Sequence, residues 1–473
     1  MAKKNELPAL IISLLVTVGI LGAGAWWLLP RVIGGGDGGS GEVVETPSNR
    51  SANTGLLQGA DGTSGETILP SAPSETKRRG LEALAAQDYA AARSEFEAAL
   101  AENRNDPESL IYLNNAEIGA DAAYSIAVVV PAFNNLNPSL EIMRGVAQAQ
   151  QEINESGGIS GTPLKVLLLN DEGNLETAEG IAAALVDSET VLGVVGHYSS
   201  DITLAAAAIY EAGGLPVISP TSTAVRIADA GDYVFRTVPS DRLAAKALAG
   251  YVLNELDKQR AAIFYTAEST YSQSVKEEFE REFIGRGDVV ADFDVSEPGF
   301  SAGNALGTAQ AAEADVLVLA LTADTEAKSL QILSVNRREL PVVGGDDLYD
   351  FNILDTGRED AVGLTVAVPW HILSHQNSPF VRASQQLWGA SVNWRTVTAY
   401  DAVKALAAAI ETGGDSREEI QAALSDTSLR IDGATDEIRF FPDGDRTQPS
   451  ALVSVEERPN GPSGTGYDYI PVQ

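Results

Sequence analysis

The chain contains no cysteine, which excludes disulfides, thiolate metal sites, cysteine nucleophiles and a lipid-modified cysteine anchor. Only 3 histidines are present, too few to favour a histidine-built metal or catalytic centre. Basic residues are scarce as well. Against 66 acids stand 32 Lys and Arg, a formal charge of -34 that repels nucleic acid and anionic headgroups. Enzyme signatures are missing: no Gly-x-Ser-x-Gly elbow, no Gly-x-x-x-x-Gly-Lys phosphate loop and no His-Glu-x-x-His. No cofactor is implied. What is present is an ordinary apolar fraction of 44% over 473 residues, enough for two or three folded units.

Leu7–Pro30 carries no charged residue and is long enough to cross a hydrocarbon layer of about 30 Å as a helix. Lys3 and Lys4 precede it, and Trp26 and Trp27 stand near its far end. Residues 1–30 are therefore expected to be a transmembrane anchor with the rest of the chain outside. That places the protein in a bacterial inner membrane, single-pass. The rival reading is a cleaved signal peptide with Ala23-Gly24-Ala25 as the cleavage site. Residues 31–75 hold ten glycines and no aromatic residue, and read as a flexible linker.

Over residues 76–120 the period becomes helical. Leu81, Leu84 and Ala85 form one stripe, and Tyr89, Ala92, Phe96, Ala99 and Leu100 a second. Asp106-Pro107 opens a third helix. The run looks like one tetratricopeptide-type repeat and the start of another, fewer than a solenoid needs to bury its own core. It serves either as a docking surface for a protein partner or as a cap packed on the next domain.

Residues 121–473 alternate apolar strands and amphipathic helices twice over. Continuous apolar strands between helices mean parallel sheets covered on both faces. The expected fold class is α/β, with lobe 1 at about 121–238 plus 370–437 and lobe 2 at about 239–369 plus 438–473. Ligands of such sheets bind beyond the carboxyl ends of the strands. Strand Val191–Val195 runs into His197-Tyr198-Ser199-Ser200 and strand Pro216–Ser219 into Thr221-Ser222-Thr223, each before a helical stretch. Free amides and hydroxyls there can hold a carboxylate without arginine. The second lobe offers Tyr271, Thr322 and Asp346-Asp347 at equivalent strand ends, and an acid suits an ammonium group. An amino acid could bridge the two lobes and close them.

Several stretches carry a resemblance. They are Gln150-Gln151-Glu152-Ile153-Asn154 with Gly157-Gly158-Ile159, then Val194-Val195-Gly196-His197-Tyr198-Ser199-Ser200 and Pro216-Val217-Ile218-Ser219-Pro220. Phe235-Arg236-Thr237-Val238-Pro239-Ser240-Asp241 follows, and Asp443-Gly444-Asp445 comes near the end. Residues 123–460 resemble the type I periplasmic binding proteins, specifically the leucine/isoleucine/valine-binding group of amino-acid and amide receptors. The resemblance implies a bilobal fold and an ATP-driven (ABC) importer as partner. It assigns Ser200 and Thr223 to a ligand carboxylate, Thr221 and Ser222 to backbone contacts, Tyr271 to an aromatic contact and Asp346 to the amine. Thr322 stands where the family often has an aromatic residue. Tyr198 and Phe133 are expected as pocket walls by position. His371 and His375, four apart, lack a third metal ligand, and His197 reads as a structural hydrogen bonder. The expectation is a membrane-anchored extracytoplasmic receptor for an amino acid or amide, coupled to import. The alternative is a sensory or regulatory protein whose helical module engages a partner.

Overall fold

The computed structural model describes residues 66–472. The expected anchor over Leu7–Pro30 and most of the expected linker lie outside these residues. Among the described residues no helix is long and apolar enough to cross a membrane. The fold class is corrected to what the described residues show: the bilobal α/β architecture, with no spanning helix among them.

Among the described residues three helices come first: α1 (Glu75–Ala85), α2 (Tyr89–Glu102) and α3 (Pro107–Ile118). Each starts on a side chain that accepts from the first turn: Ser74, Asp88 and Asp106. Lobe 1 then builds β1 (Tyr124–Val130), α4 (Leu136–Glu155), β2 (Leu164–Asn170), α5 (Leu175–Asp187), β3 (Val191–Val195), α6 (Ser200–Gly213), β4 (Val217–Ser219) and β5 (Val234–Arg236). Its sheet is all parallel, in the order β2-β1-β3-β4-β5.

Lobe 2 continues with α7 (Asp241–Asn254), β6 (Arg260–Tyr265), α8 (Thr270–Phe283), β7 (Asp288–Asp294), α9 (Ala302–Ala311) and β8 (Val316–Ala320). Next come α10 (Glu326–Asn336), β9 (Val342–Gly344), the short α11 (Phe351–Asp355) and α12 (Arg358–Ala361), and β10 (Thr365–Val368). The chain returns to lobe 1 for α13 (Pro379–Trp388), α14 (Trp394–Gly413) and α15 (Arg417–Leu424). A two-residue pairing of β11 (Ile431–Asp432) with β12 (Glu437–Ile438) follows. Then β13 (Ala451–Glu457) and β14 (Tyr467–Pro471) join lobe 2 antiparallel, giving the order β14-β13-β10-β9-β8-β6-β7.

The first three helices are not a detached repeat array. Helix α3 is buried over most of its length, and its side chains complete lobe 1. Strand β2 is the edge of its sheet, so its outer amides and carbonyls need partners. Asn115 supplies them like a further strand: its Nδ2 donates to Val166 O (2.8 Å) and its Oδ1 accepts from Val166 N (3.2 Å). Asn154 does the same for Leu164 at 3.0 and 2.8 Å. Below, Lys77 is clamped between Asp106 and Glu108, with Glu108 fully buried. The tetratricopeptide-like module is thus corrected to a helical cap on the edge of lobe 1.

Two glycines fix the approach of elements that frame the cleft. A Cβ on Gly145 would sit 2.1 Å from Thr396 O, so α4 and α14 cross backbone to backbone there. A Cβ on Gly345 would fall 2.2 Å from the Tyr271 hydroxyl. The lobes are joined by three crossing segments, and buried ion pairs hold them in register. Arg236, at the end of β5, makes a bidentate pair with Asp445 at 2.6 and 2.7 Å. Arg446 pairs with Asp401 at 2.6 Å and donates to Thr237 O. Asp443-Gly444-Asp445 therefore anchors the third crossing to the first.

Candidate functional site

A cavity of about 240 Å³ opens between the lobes at the carboxyl ends of both sheets. From lobe 1 come the amino end of α6 and the loop after β4. Ser199 caps α6, accepting from Ile202 N, and Ser200 is the first residue of the helix. The first amides of a helix have no partner within it, so this end attracts anions. The Ser200 hydroxyl accepts from Ala224 N (3.3 Å), which leaves its proton available. Thr221 lines the same wall and donates to Tyr198 O at 2.7 Å.

From lobe 2 come the amino end of α8 and the turn after β9. Tyr271 donates to Asp346 Oδ1 at 2.8 Å, within the space that Gly345 leaves. Asp347, next to it, accepts from Tyr198 across the cleft (3.2 Å) and from Ala323 N (3.3 Å). Arg395, at the start of α14, stands 3.4 Å from the same carboxylate. Two more links cross the cleft: Thr270 donates to Asp201, and Val225 N donates to Ser274 Oγ at 3.0 Å.

The electrostatics of this cavity are one-sided. Asp171, Asp201, Glu268, Asp324, Asp346 and Asp347 line it, and no Lys or Arg does. Burial, with the Asp347 and Asp241 charges, pushes Asp346 up to about 8. Burial raises Asp347 too, opposed by Arg395. Asp241, just behind, is pushed up to about 6 by burial. Burial also holds Tyr198 and Tyr271 well above the usual phenol range, so both remain donors. A cationic group entering beside Asp346 would meet a carboxyl held in place by Tyr271 and would favour its ionised form.

The expected residues are sorted clearly by this geometry. Tyr198, Ser200, Thr221, Tyr271, Thr322 and Asp346 line the cavity, as does Asp347. Ser222 and Thr223 do not: they lie buried behind Thr221. The Ser222 hydroxyl is shared with Thr203 at 2.7 Å, and Thr223 O accepts from Asp241 N at 2.8 Å. Phe133 is 39% exposed and lies off the cavity. Thr322 turns inward on its own loop, where its amide donates to Thr325 Oγ1. His197 bridges Asp171 (2.6 Å) and Tyr210 (3.1 Å) in full burial. His371 and His375 flank a single turn of 3-10 helix, and no metal-binding group of three acids or histidines occurs among the described residues. Arg395 escaped the sequence reading. Its sole sequence signal is a lone charge in the first turn of a helix that is buried over most of its length.

Residues 123–462 match the family described as periplasmic binding protein. The chain belongs to that family. Its members carry solutes rather than transform them, and this chain is not an enzyme. The Leu/Ile/Val-binding protein BraC3 of Rhizobium johnstonii is 27% identical over 66% of this chain and 85% of its own. Homolog 3 of the Leu/Ile/Val-binding protein in Brucella melitensis is 26% identical over 71% of this chain and 93% of its own. An amino acid binding protein of Pseudomonas aeruginosa is 31% identical, but over 28% of this chain and 35% of its own.

Among solved structures, an ABC transporter substrate-binding protein from Desulfitobacterium hafniense is 29% identical, with a TM-score of 0.63. It covers 74% of this chain and 100% of its own. A complex of a Desulfitobacterium hafniense substrate-binding protein with Leu gives 27% and 0.62 over the same shares. The family match starts at residue 123 and supports the solute-binding domain alone. The membrane-anchored form of the function, the single-pass inner-membrane localisation and the membrane as a partner are corrected on that ground. The tetratricopeptide assignment is withdrawn with them.

Proposed function

We propose that the chain is an extracytoplasmic solute-binding protein that closes on an amino-acid-like ligand and delivers it to an ABC importer. The observation that carries this reading is the placement of opposite chemistries across one small cavity. The amino end of α6, with Ser200 and Thr221, suits a carboxylate, and Asp346 beside Tyr271 suits an ammonium group. The relatives named for Leu, Ile and Val binding, and the substrate-binding protein solved with Leu, support the same class of ligand. An excess of wall acids over bases favours the amine end, so basic amino acids and amino-acid amides belong in the search beside leucine.

A thermal-shift screen of the full chain against amino acids, amides and short peptides tests this. A ligand at 100 times its Kd adds about 2.7 kcal/mol to the folded state, which is visible as a raised Tm. The expected result is a response to one amino-acid class that is lost in Asp346→Asn and Ser200→Ala. A folded protein silent across the whole panel would sink the reading.

A further inference from the structure

A second and larger cavity, about 500 Å³, lies at the lobe interface on the far side of Arg395 and shares no lining residue with the first. Both lobes build it. Lobe 1 gives Pro138 and Leu140 of α4 and Val392 before α14; lobe 2 gives Leu354, Tyr349 and Tyr469. Its volume is in the range of small-molecule sites.

The wall chemistry is specific. The rings of Tyr349 and Tyr469 lie 4.4 Å apart at a tilt of 32°, and His371 meets Tyr349 edge-on at 5.8 Å. Burial drives His371 down to about 4, so this ring is neutral at physiological pH and the three rings form an apolar shelf. Phe351, 49% exposed, stands at the lining and adds a further aromatic surface. The charged groups of the wall are Glu141, Asp350 and Asp468 against Arg144 and Arg395. Glu141 is spoken for by Arg144 and Thr396, and Asp350 by the amide of Asn352. Asp468 is 5% exposed; its Oδ1 accepts from Ser463 N (3.0 Å), while its Oδ2 has no partner. That oxygen is closed off against Gly461, so Asp468 faces the cavity as a buried negative charge without an ion-pair partner among the described residues, which a cation in the cavity would offset.

We propose that this cavity is a second small-molecule site for an arylalkyl ammonium: an aromatic body on the Tyr349–Tyr469–His371 shelf, with a cationic head toward Asp468. Because its walls come from both lobes, an occupant binds the closed arrangement better than any arrangement that parts them. It is thereby coupled to the first cavity, and the coupling is reciprocal. Arg395 is the physical link: its guanidinium contacts Asp347 of the first site and donates to Tyr349 O of the second (3.3 Å).

Isothermal titration of the full chain with phenethylamine tests the site, with 2-phenylethanol and 3-phenylpropionate as neutral and anionic controls. Phenethylamine is expected to bind, with each control at least tenfold weaker. Ser391→Trp, which fills the exposed mouth, and Asp468→Asn, which removes the charge with little change of shape, should each cost at least tenfold. Asp346→Asn should not abolish this titration, since Asp346 lines the first cavity and reaches this one only through the coupling. No heat from phenethylamine, equal binding of the anionic control, or binding abolished by Asp346→Asn and untouched by Ser391→Trp and Asp468→Asn each overturns the proposal. Failure of the first cavity to take an amino acid does not bear on this result.

Discussion

At the scale of single residues, the site is governed by how expensive it is to hold Asp346 ionised. Its carboxyl is pushed up to about 8 against an ordinary 3.8, by burial first and then by Asp347 and Asp241. Between those values the folded chain keeps the proton and the unfolded chain does not. The stability this gives is present at low pH and is lost as pH rises from about 4 to about 8. A ligand ammonium needs the carboxylate, so binding near pH 7 must expel a proton. Affinity is therefore expected to rise from pH 6 to about pH 8, by up to about tenfold per unit, and then level off. Titrations at pH 7 in buffers of different ionisation enthalpy should show release of up to one proton. Asp346→Asn should flatten the profile and weaken binding by about 2–5 kcal/mol. A flat profile in the parent protein, with no proton released, would show that the amine does not meet Asp346. The sequence could point to an acid at this strand end. It could not show that Tyr271 and Arg395 divide the acid pair between them, because both stand far from that pair in the chain and meet it only through the fold.

At the scale of elements, the helical cap shows why periodicity reveals a helix more readily than its role. The stripes of α1 and α2 and the Asp106-Pro107 start of α3 are plain in the sequence, since caps and spacing are local. The cap's role hangs on Asn114 and Asn115, which look like two solvent-facing polar residues. In the fold both are buried, and Asn115 pairs with the outer edge of β2 while also accepting from Gln150 at 2.8 Å. Asn115→Ala should leave Val166 N and O without partners and cost about 1–3 kcal/mol in urea unfolding. A loss under a few tenths of a kcal/mol would mean water replaces the amide and the edge is not sealed.

Helix α9 is the opposite case. Ala302, Ala305, Leu306 and Ala309 form a proper buried stripe behind an N-cap at Ser301. The stripe is mostly alanine, and Gly303 and Gly307 share the helix, so the contrast in hydropathy is too faint to separate it from a loop. Among the cleft residues, Tyr198, Ser200 and Thr221 were legible as strand-end residues facing a helix start. Ser222 and Thr223 were not separable from Thr221, because a loop's inward and outward positions depend on what packs behind it.

At the scale of the whole molecule, the question is what keeps the lobes together when the cavity holds no solute. The crossing segments are fastened by buried, bidentate or fully desolvated ion pairs at Arg236 and Arg446, so the hinge axis is well defined. Across the cleft the direct links near the site are few and polar. They are Tyr198 to Asp347, Arg395 to Asp347, Thr270 to Asp201 and Val225 to Ser274. Hydrogen bonds of this kind contribute about 0.5–1.5 kcal/mol each, so the closed arrangement holds by only a small margin without a ligand. A ligand that touches both lobes then shifts the population by its preference for the closed form. Removing two of the links, in Tyr198→Phe/Asp201→Ala, should move the closed-to-open ratio by about 10-fold or more while sparing each lobe's own core. Small-angle scattering of the ligand-free double variant should give a larger radius of gyration than the parent, with an unfolding midpoint in urea little changed. Identical scattering from the two would place the resistance to opening in the hinge pairs. Arg236→Ala, which strands the Asp445 charge at a cost of about 3–5 kcal/mol, would then be the substitution that separates the lobes.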